Sequence, residues 1–255
     1  MRAASFSPGQ RPVLCLHGFL GDSADWEPLS NALGPAYRVA APALPGHGAP
    51  PVASFTDAVA SVVDAIRASP EPPQLVGYSM GGRIALAAAL QPGVRLASLV
   101  ILSASPGMEC AMERAERARG DDRTADLLER RGLPRFVRDW YAQPLFASLA
   151  RRPALLHALQ SRRAQGRAAD RASALRALSV GRQPSLWPCL GSLRHRTLFI
   201  AGELDAAYRD ALARASGLCP RARLLIVPDS GHMPHLEHPA FVHAHLRHFF
   251  EATEE

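Results

Sequence analysis

Gly77-Tyr78-Ser79-Met80-Gly81-Gly82 is the stretch on which the fold turns. The apolar pair Leu75-Val76 leads into it, and Arg83-Ile84-Ala85-Leu86-Ala87-Ala88-Ala89-Leu90, rich in helix formers, follows. The order is strand, sharp turn, helix, the setting that a G-x-S-x-G nucleophile elbow requires. Glycine is needed at 77 and 81 because strand and helix approach too closely for side chains, while the serine occupies a strained turn. A chance G-x-S-x-G in a glycine-containing turn is the competing reading. The strand before and the helix after weigh against it.

Working outward, Pro12-Val13-Leu14-Cys15-Leu16 is an apolar run ending in His17-Gly18-Phe19-Leu20-Gly21, a buried strand followed by a loop. A helix is predicted over 25–33, a strand over 37–41 and a loop over 42–48. Ser54 opens a further helix, whose first amides it can cap and whose apolar positions recur through Ile66. Residues 97–102 form another buried strand. Past residue 106 the alternation stops until 196–202, a strand with Asp205 at its end. A helix over 208–216, a strand over 224–227, the loop Asp229-Ser230-Gly231-His232 and a helix over 239–250 complete the chain. Strands alternating with helices imply an α/β architecture, a mostly parallel sheet with helices on both faces. Ligands bind such sheets beyond the carboxyl ends of the strands. The domain reading is a core of residues 1–105 and 187–255 with a helical cap inserted at 106–186.

Ser79, Asp205 and His232 each fall just after a predicted strand, in the chain order serine, aspartate, histidine. A serine hydroxyl needs a neighbour to accept its proton; His232 can do that, and Asp205 would hold the imidazole in the right tautomer. Taken singly, His232 reads equally as a loop histidine and Asp205 as a turn former. An oxyanion hole needs two amides, and Phe19 and Met80 are the candidates. His232, His235 and His238, spaced by three, together with His243, His245 and His248, raise a metal reading, but Pro234 and Pro239 interrupt the local helix. No metal and no organic cofactor is expected.

The 255 residues include no lysine; all 29 basic residues are arginine, and the net charge is +6. Residues 106–186 hold 16 arginines against 9 acids, and the remainder 13 against 14, so the excess lies in one segment. Two readings stand. One is a solvated basic face, open to nucleic acid, although Arg114, Arg117 and Arg119 are interleaved with acids. The other is anion binding above the serine, which the planar guanidinium fork suits. Composition does not choose between them. No apolar run is long enough to span a membrane, and the first nine residues lack the apolar core of a signal peptide. A cytoplasmic monomer is expected, with one edge strand shortened or missing. Cys15, Cys110, Cys189 and Cys219 form no C-x-x-C pair and read as reduced, mostly buried thiols.

At full length the chain resembles the α/β-hydrolase superfamily. The inserted segment resembles one family in it, the 2-succinyl-6-hydroxy-2,4-cyclohexadiene-1-carboxylate synthases of menaquinone biosynthesis. The resemblance is carried by Arg114-Ala115-Glu116-Arg117, by Asp139-Trp140-Tyr141-Ala142-Gln143-Pro144-Leu145-Phe146, by Gln183-Pro184-Ser185-Leu186-Trp187, by the arginine after the elbow and by Gly202-Glu203-Leu204-Asp205. It implies a lyase removing pyruvate from 2-succinyl-5-enolpyruvyl-6-hydroxy-3-cyclohexene-1-carboxylate, with Ser79 acting as a base rather than a covalent nucleophile. It further implies that Arg83, Arg117 and Arg163 grip the substrate's three carboxylates, with Tyr78 and Trp140 lining the pocket. Arg162 is a rival for the place of Arg163. The alternatives are a serine hydrolase acting on an ester or C–C bond and a non-catalytic member of the fold.

Overall fold

The computed structural model describes residues 9–252. Residues 1–8, which carry most of the stretch read for a signal peptide and a shortened edge strand, lie outside the described residues. The six described strands are β1 (Arg11–Leu16), β2 (Tyr37–Ala40), β3 (Gln74–Tyr78), β4 (Ser98–Leu102), β5 (Thr197–Gly202) and β6 (Ala222–Val227). They pair in parallel in the spatial order β2-β1-β3-β4-β5-β6. The winding reverses between β1 and β3, which lie side by side with Leu16 opposite Gly77. Their following loops diverge at that point and leave a crevice.

Alternate residues of each strand enter opposite layers of core. Val13 and Cys15 pack with Trp26 and Leu29, and Leu14 and Leu16 with Val62 and Ile84. The first layer is covered by α1 (Glu27–Leu33) and α10 (Pro239–Glu251), the second by α2 (Phe55–Arg67), α3 (Met80–Ala89) and α8 (Ala206–Leu218). Each fully buried leucine or isoleucine contributes about 2 kcal/mol. Ser54 caps α2 as expected, its hydroxyl accepting the Asp57 amide at 3.2 Å. The helix predicted over 25–33 divides into a 3-10 turn, Ser23–Trp26, and α1. The cause is Pro28, which has no N–H to donate to Ala24 and so marks a new helix start.

Between β4 and β5 the chain forms α4 (Ala111–Arg131), α5 (Leu133–Tyr141), a 3-10 stretch Pro144–Arg151, α6 (Pro153–Arg163) and α7 (Ala168–Ala177). The two readings of its arginines turn out to divide them. Arg176 pairs with Asp126 and Glu129, and Arg182 with Asp122, on the exposed seam beside α4. Pairs of that kind contribute about 1 kcal/mol or less each. Others face inward and are described below. α9 (Pro234–Glu237) is a single turn after β6. The cysteine expectation holds for two of four: Cys15 and Cys219 are buried, but Cys110 precedes α4 and Cys189 sits in a 3-10 turn, both at the surface. Among the described residues no helix is long and apolar enough to cross a membrane.

Candidate active site

The elbow is built as the glycines require. Ser79 has φ 49° and ψ −113°, a left-handed conformation that costs a side-chain-bearing residue about 1–3 kcal/mol. Backbone bonds hold it there: Ser79 N–H donates to Leu102 O at 2.9 Å, and Arg83 N–H to Ser79 O at 3.0 Å. A Cβ on Gly77 would meet Gly82 Cα at 2.7 Å, and one on Gly81 would overlap the Leu16 and His17 carbonyls. Gly81 N–H donates to His17 O at 3.1 Å, tying the elbow to the loop after β1.

Three side chains distant in sequence converge here. Asp205, at the end of β5, accepts the His232 Nδ1–H at 2.7 Å, and His232 Nε2 lies 3.1 Å from Ser79 Oγ. Asp205 and His232 are buried. With Nδ1 protonated against the carboxylate, Nε2 is left to accept the serine proton. Met80 is the first residue of α3, so its N–H has no partner within the helix. Neither it nor the Phe19 N–H donates to a described acceptor. The loop carrying Phe19 is braced by two buried histidines: His47 Nε2 accepts the Leu20 amide at 2.9 Å, and His17 Nε2 the Leu44 amide at 3.2 Å. Burial pushes His17 down to about 4 and His47 well below its ordinary value, which keeps both neutral and able to accept.

The serine opens on a cavity of about 900 Å³ between the sheet and the inserted helices. Arg83, Arg117, Arg163, Tyr78 and Trp140 all line it. The expected arginines are less free than the sequence implied. Arg83 Nη1 donates to Gln183 Oε1 at 2.9 Å and Nη2 to Leu178 O at 2.7 Å, so part of its fork is engaged by the insertion. Burial lowers it to about 10, still cationic at neutral pH. Arg117 is half-exposed and pairs with Asp121 at 2.9 Å. Arg163 is buried, with Nη2 2.8 Å from Asp25 Oδ2 and Nη1 donating to Tyr141 Oη. Burial opposes its charge, yet Tyr141 and Asp25 raise it above ordinary arginine. Asp25 is likewise disfavoured by burial, but Arg163, His235 and Arg162 outweigh that and hold its carboxyl below the usual range. Arg162 bonds Asp25 and pairs with Asp22 at 3.1 Å, and it is not part of the cavity wall. Of the two rivals, Arg163 is the one that faces the cavity.

Sequence reading missed Asp25, Tyr141 and Tyr208. Tyr208 lines the cavity, its ring 4.6 Å from that of His232. Tyr141 lies within the stretch that carries the family resemblance, and Tyr208 stands three residues after Asp205 at a helix start; no motif marks Asp25. The carboxyl-terminal histidines scatter. His235 stacks on Trp26 at 5.0 Å, and burial lowers it to about 3. His245 Nδ1–H donates to Phe241 O at 2.8 Å. Among the described residues no group of three or more metal-ligating side chains is assembled.

Comparison with known proteins agrees with this geometry. Residues 13–245 match the family model described as the alpha/beta hydrolase family. The chain is 35% identical over 243 residues to the 2-succinyl-6-hydroxy-2,4-cyclohexadiene-1-carboxylate synthase of Salmonella schwarzengrund (strain CVM19633), covering 92% of each. The chain belongs to that synthase family, within the alpha/beta hydrolases. Among solved structures it resembles MenH from S. aureus, with a TM-score of 0.90 at 29% identity, covering 98% of this chain and 96% of that one. A malate-bound thermophilic esterase from Thermogutta terrifontis shares the fold, with a TM-score of 0.81 at 24% identity over 94% and 90% of the two chains. Membership of the synthase family bears out the resemblance that the inserted segment carried.

Proposed function

We propose that this member of the synthase family eliminates pyruvate from 2-succinyl-5-enolpyruvyl-6-hydroxy-3-cyclohexene-1-carboxylate, leaving 2-succinyl-6-hydroxy-2,4-cyclohexadiene-1-carboxylate. The observation that supports it most is a hydrogen-bonded serine, histidine and aspartate opening on a cavity walled by arginines. Ser79 Oγ, its proton passed to His232 Nε2, takes a proton from the ring carbon. The electron pair moves through the ring as a second double bond, and the C–O bond to the enolpyruvyl group breaks. Enolpyruvate departs, takes up the proton held by His232 and becomes pyruvate at carbon. Asp205 stabilises the imidazolium in between. The amides of Phe19 and Met80 stabilise the enolate-like charge on the succinyl carbonyl.

Arg83, Arg117 and Arg163 hold the three carboxylates in this reading, with Tyr78 and Trp140 against the ring. A hydrogen bond to a charged group contributes about 1.5–3 kcal/mol. Residues 106–186 act as the cap that brings two of the arginines over the serine. We place the enzyme in the cytoplasm as a monomer needing no metal or organic cofactor.

The test is release of pyruvate from the enolpyruvyl substrate by purified protein, compared with turnover of small aryl esters. The expected result is pyruvate release that falls at least tenfold in kcat/KM in Arg117→Ala, with ester turnover slow and unchanged. Arg117 is the informative choice, because Arg83 is also bonded to the insertion. Rapid ester turnover without pyruvate release would assign the site to a serine hydrolase.

A further inference from the structure

His232 lies in the bend between β6 and α9, and the amide N–H groups of the residues on either side of it are captured by one carboxylate. Gly231 N–H donates to Glu237 Oε2 at 3.0 Å, and Met233 N–H donates to Glu237 Oε1 at 3.0 Å. The Glu237 side chain is 0% exposed. A carboxylate so deep is costly unless charge and hydrogen bonds compensate it. Its counter-ion comes from the inserted segment. Arg152 Nη1 lies 3.5 Å from Glu237 Oε2, its Nε–H donates to Glu237 O at 3.2 Å, and its Nη2–H donates to Asp229 O at 3.1 Å. Ser148, also from the insertion, lies against the same bend: a Cβ on Gly231 would come within 2.8 Å of Ser148 Cβ. Asp229 itself has φ 48° and is held by Glu203, which accepts its amide at 3.0 Å.

We infer that Glu237 and Arg152 are positioning residues for His232: the carboxylate fixes the Gly231 and Met233 amides that bracket it, and the guanidinium ties that placement to the inserted helices. The chemistry of the clamp is specific. A carboxylate offers two equivalent acceptors for two N–H groups, whereas a carboxamide offers one and turns its own N–H₂ toward the second donor. Near-equal shape is therefore insufficient. The inference rests on the proposed role of His232 as acceptor of the Ser79 proton, but on no particular substrate.

Two readouts on the full-length protein test it: kcat and KM for pyruvate release, and the far-downfield proton resonance of His232 Nδ1–H bonded to Asp205. Glu237→Gln should lower kcat about 10- to 100-fold with KM within about twofold, because the reacting group is displaced while the arginine wall is untouched. The Nδ1 proton signal should broaden or vanish in that variant at a temperature where its circular dichroism is native. Arg152→Ala should lower kcat less, and Arg152→Lys should recover part of that loss. Should Glu237→Gln fail to fold, the Arg152 pair decides the matter by the same readouts. A folded Glu237→Gln with kcat within about twofold of wild type and an unchanged Nδ1 proton would overturn the inference. So would a loss confined to KM. If wild-type protein releases no pyruvate, the substrate assignment falls, and the proton resonance alone decides the positioning role.

Discussion

Ser79 and Arg163 line two walls of one cavity, the core elbow and the inserted α6, and different forces hold them. Ser79 is placed by backbone: a left-handed turn, two main-chain hydrogen bonds, and glycines at 77 and 81 where any Cβ would collide with main-chain atoms. Arg163, the last residue of α6, is placed by side chains drawn from two other elements, namely Asp25 after β1 and Tyr141 at the end of α5. Backbone placement survives loss of the side chain it presents. Placement by a buried ion pair does not, because removing one partner leaves the other charged and unsatisfied. The two walls should therefore respond to substitution in opposite ways.

The largest expected effect is in activity. Ser79→Ala should lower kcat for pyruvate release about 10³-fold or more while the urea midpoint stays within error, since the turn is made by main chain. A large stability loss in that variant would break the contrast. Asp25→Asn tests the other wall. It should cost about 3 kcal/mol in urea unfolding and raise KM, because Arg163 loses its carboxylate. An unchanged midpoint would mean that Arg163 is held by something else.

A smaller effect separates the walls by pH. His17 and His47 each accept an amide while neutral, and their folded-state values lie below the unfolded value near 6.5. Their contribution is complete above about pH 6.5 and is lost as pH falls below it, for His17 toward about 4, where the folded protein takes up the proton. His235 and His243, lowered by burial to about 3 and about 4, act in the same direction. Urea unfolding at pH 7.5 and pH 5 should differ by on the order of 2 kcal/mol for each histidine so held. Asp25, held below the usual carboxylate range, keeps its charge throughout that window, so the Arg163 wall should be spared. A flat stability profile between those values would refute the assigned role of the two histidines.

The degree to which each wall was legible follows from the same physics. Gly77-Tyr78-Ser79-Met80-Gly81 could be read because steric exclusion acts between neighbours in the chain, and it restricts residue type at defined offsets. Asp205 and His232 were readable because each lies in the loop that follows a strand, and parallel strands carry their ends to one edge of the sheet. Arg83, Arg117 and Arg163 came from likeness to a family; the charge count alone left the arginines as either solvent-facing or inward-facing, and both kinds occur. Asp25 had no local signature, since what makes it matter is 138 residues away. The division of 25–33 into two short helices was missed because the loss of one N–H at Pro28 outweighed the apolar pattern.

The amino-acid order by itself determined an alternating parallel α/β sheet, a serine on a strained elbow, a histidine and an aspartate at the ends of later strands, and an arginine-rich helical insertion. Those features depend on interactions a few residues apart, or on a period that repeats along the chain. Only the tertiary structure decided which arginines face the cavity, which partners each engages, and that Glu237 clasps the Gly231 and Met233 amides on either side of His232. Charges and hydrogen-bond acceptors select partners by distance in space, and folding sets that distance independently of separation along the chain.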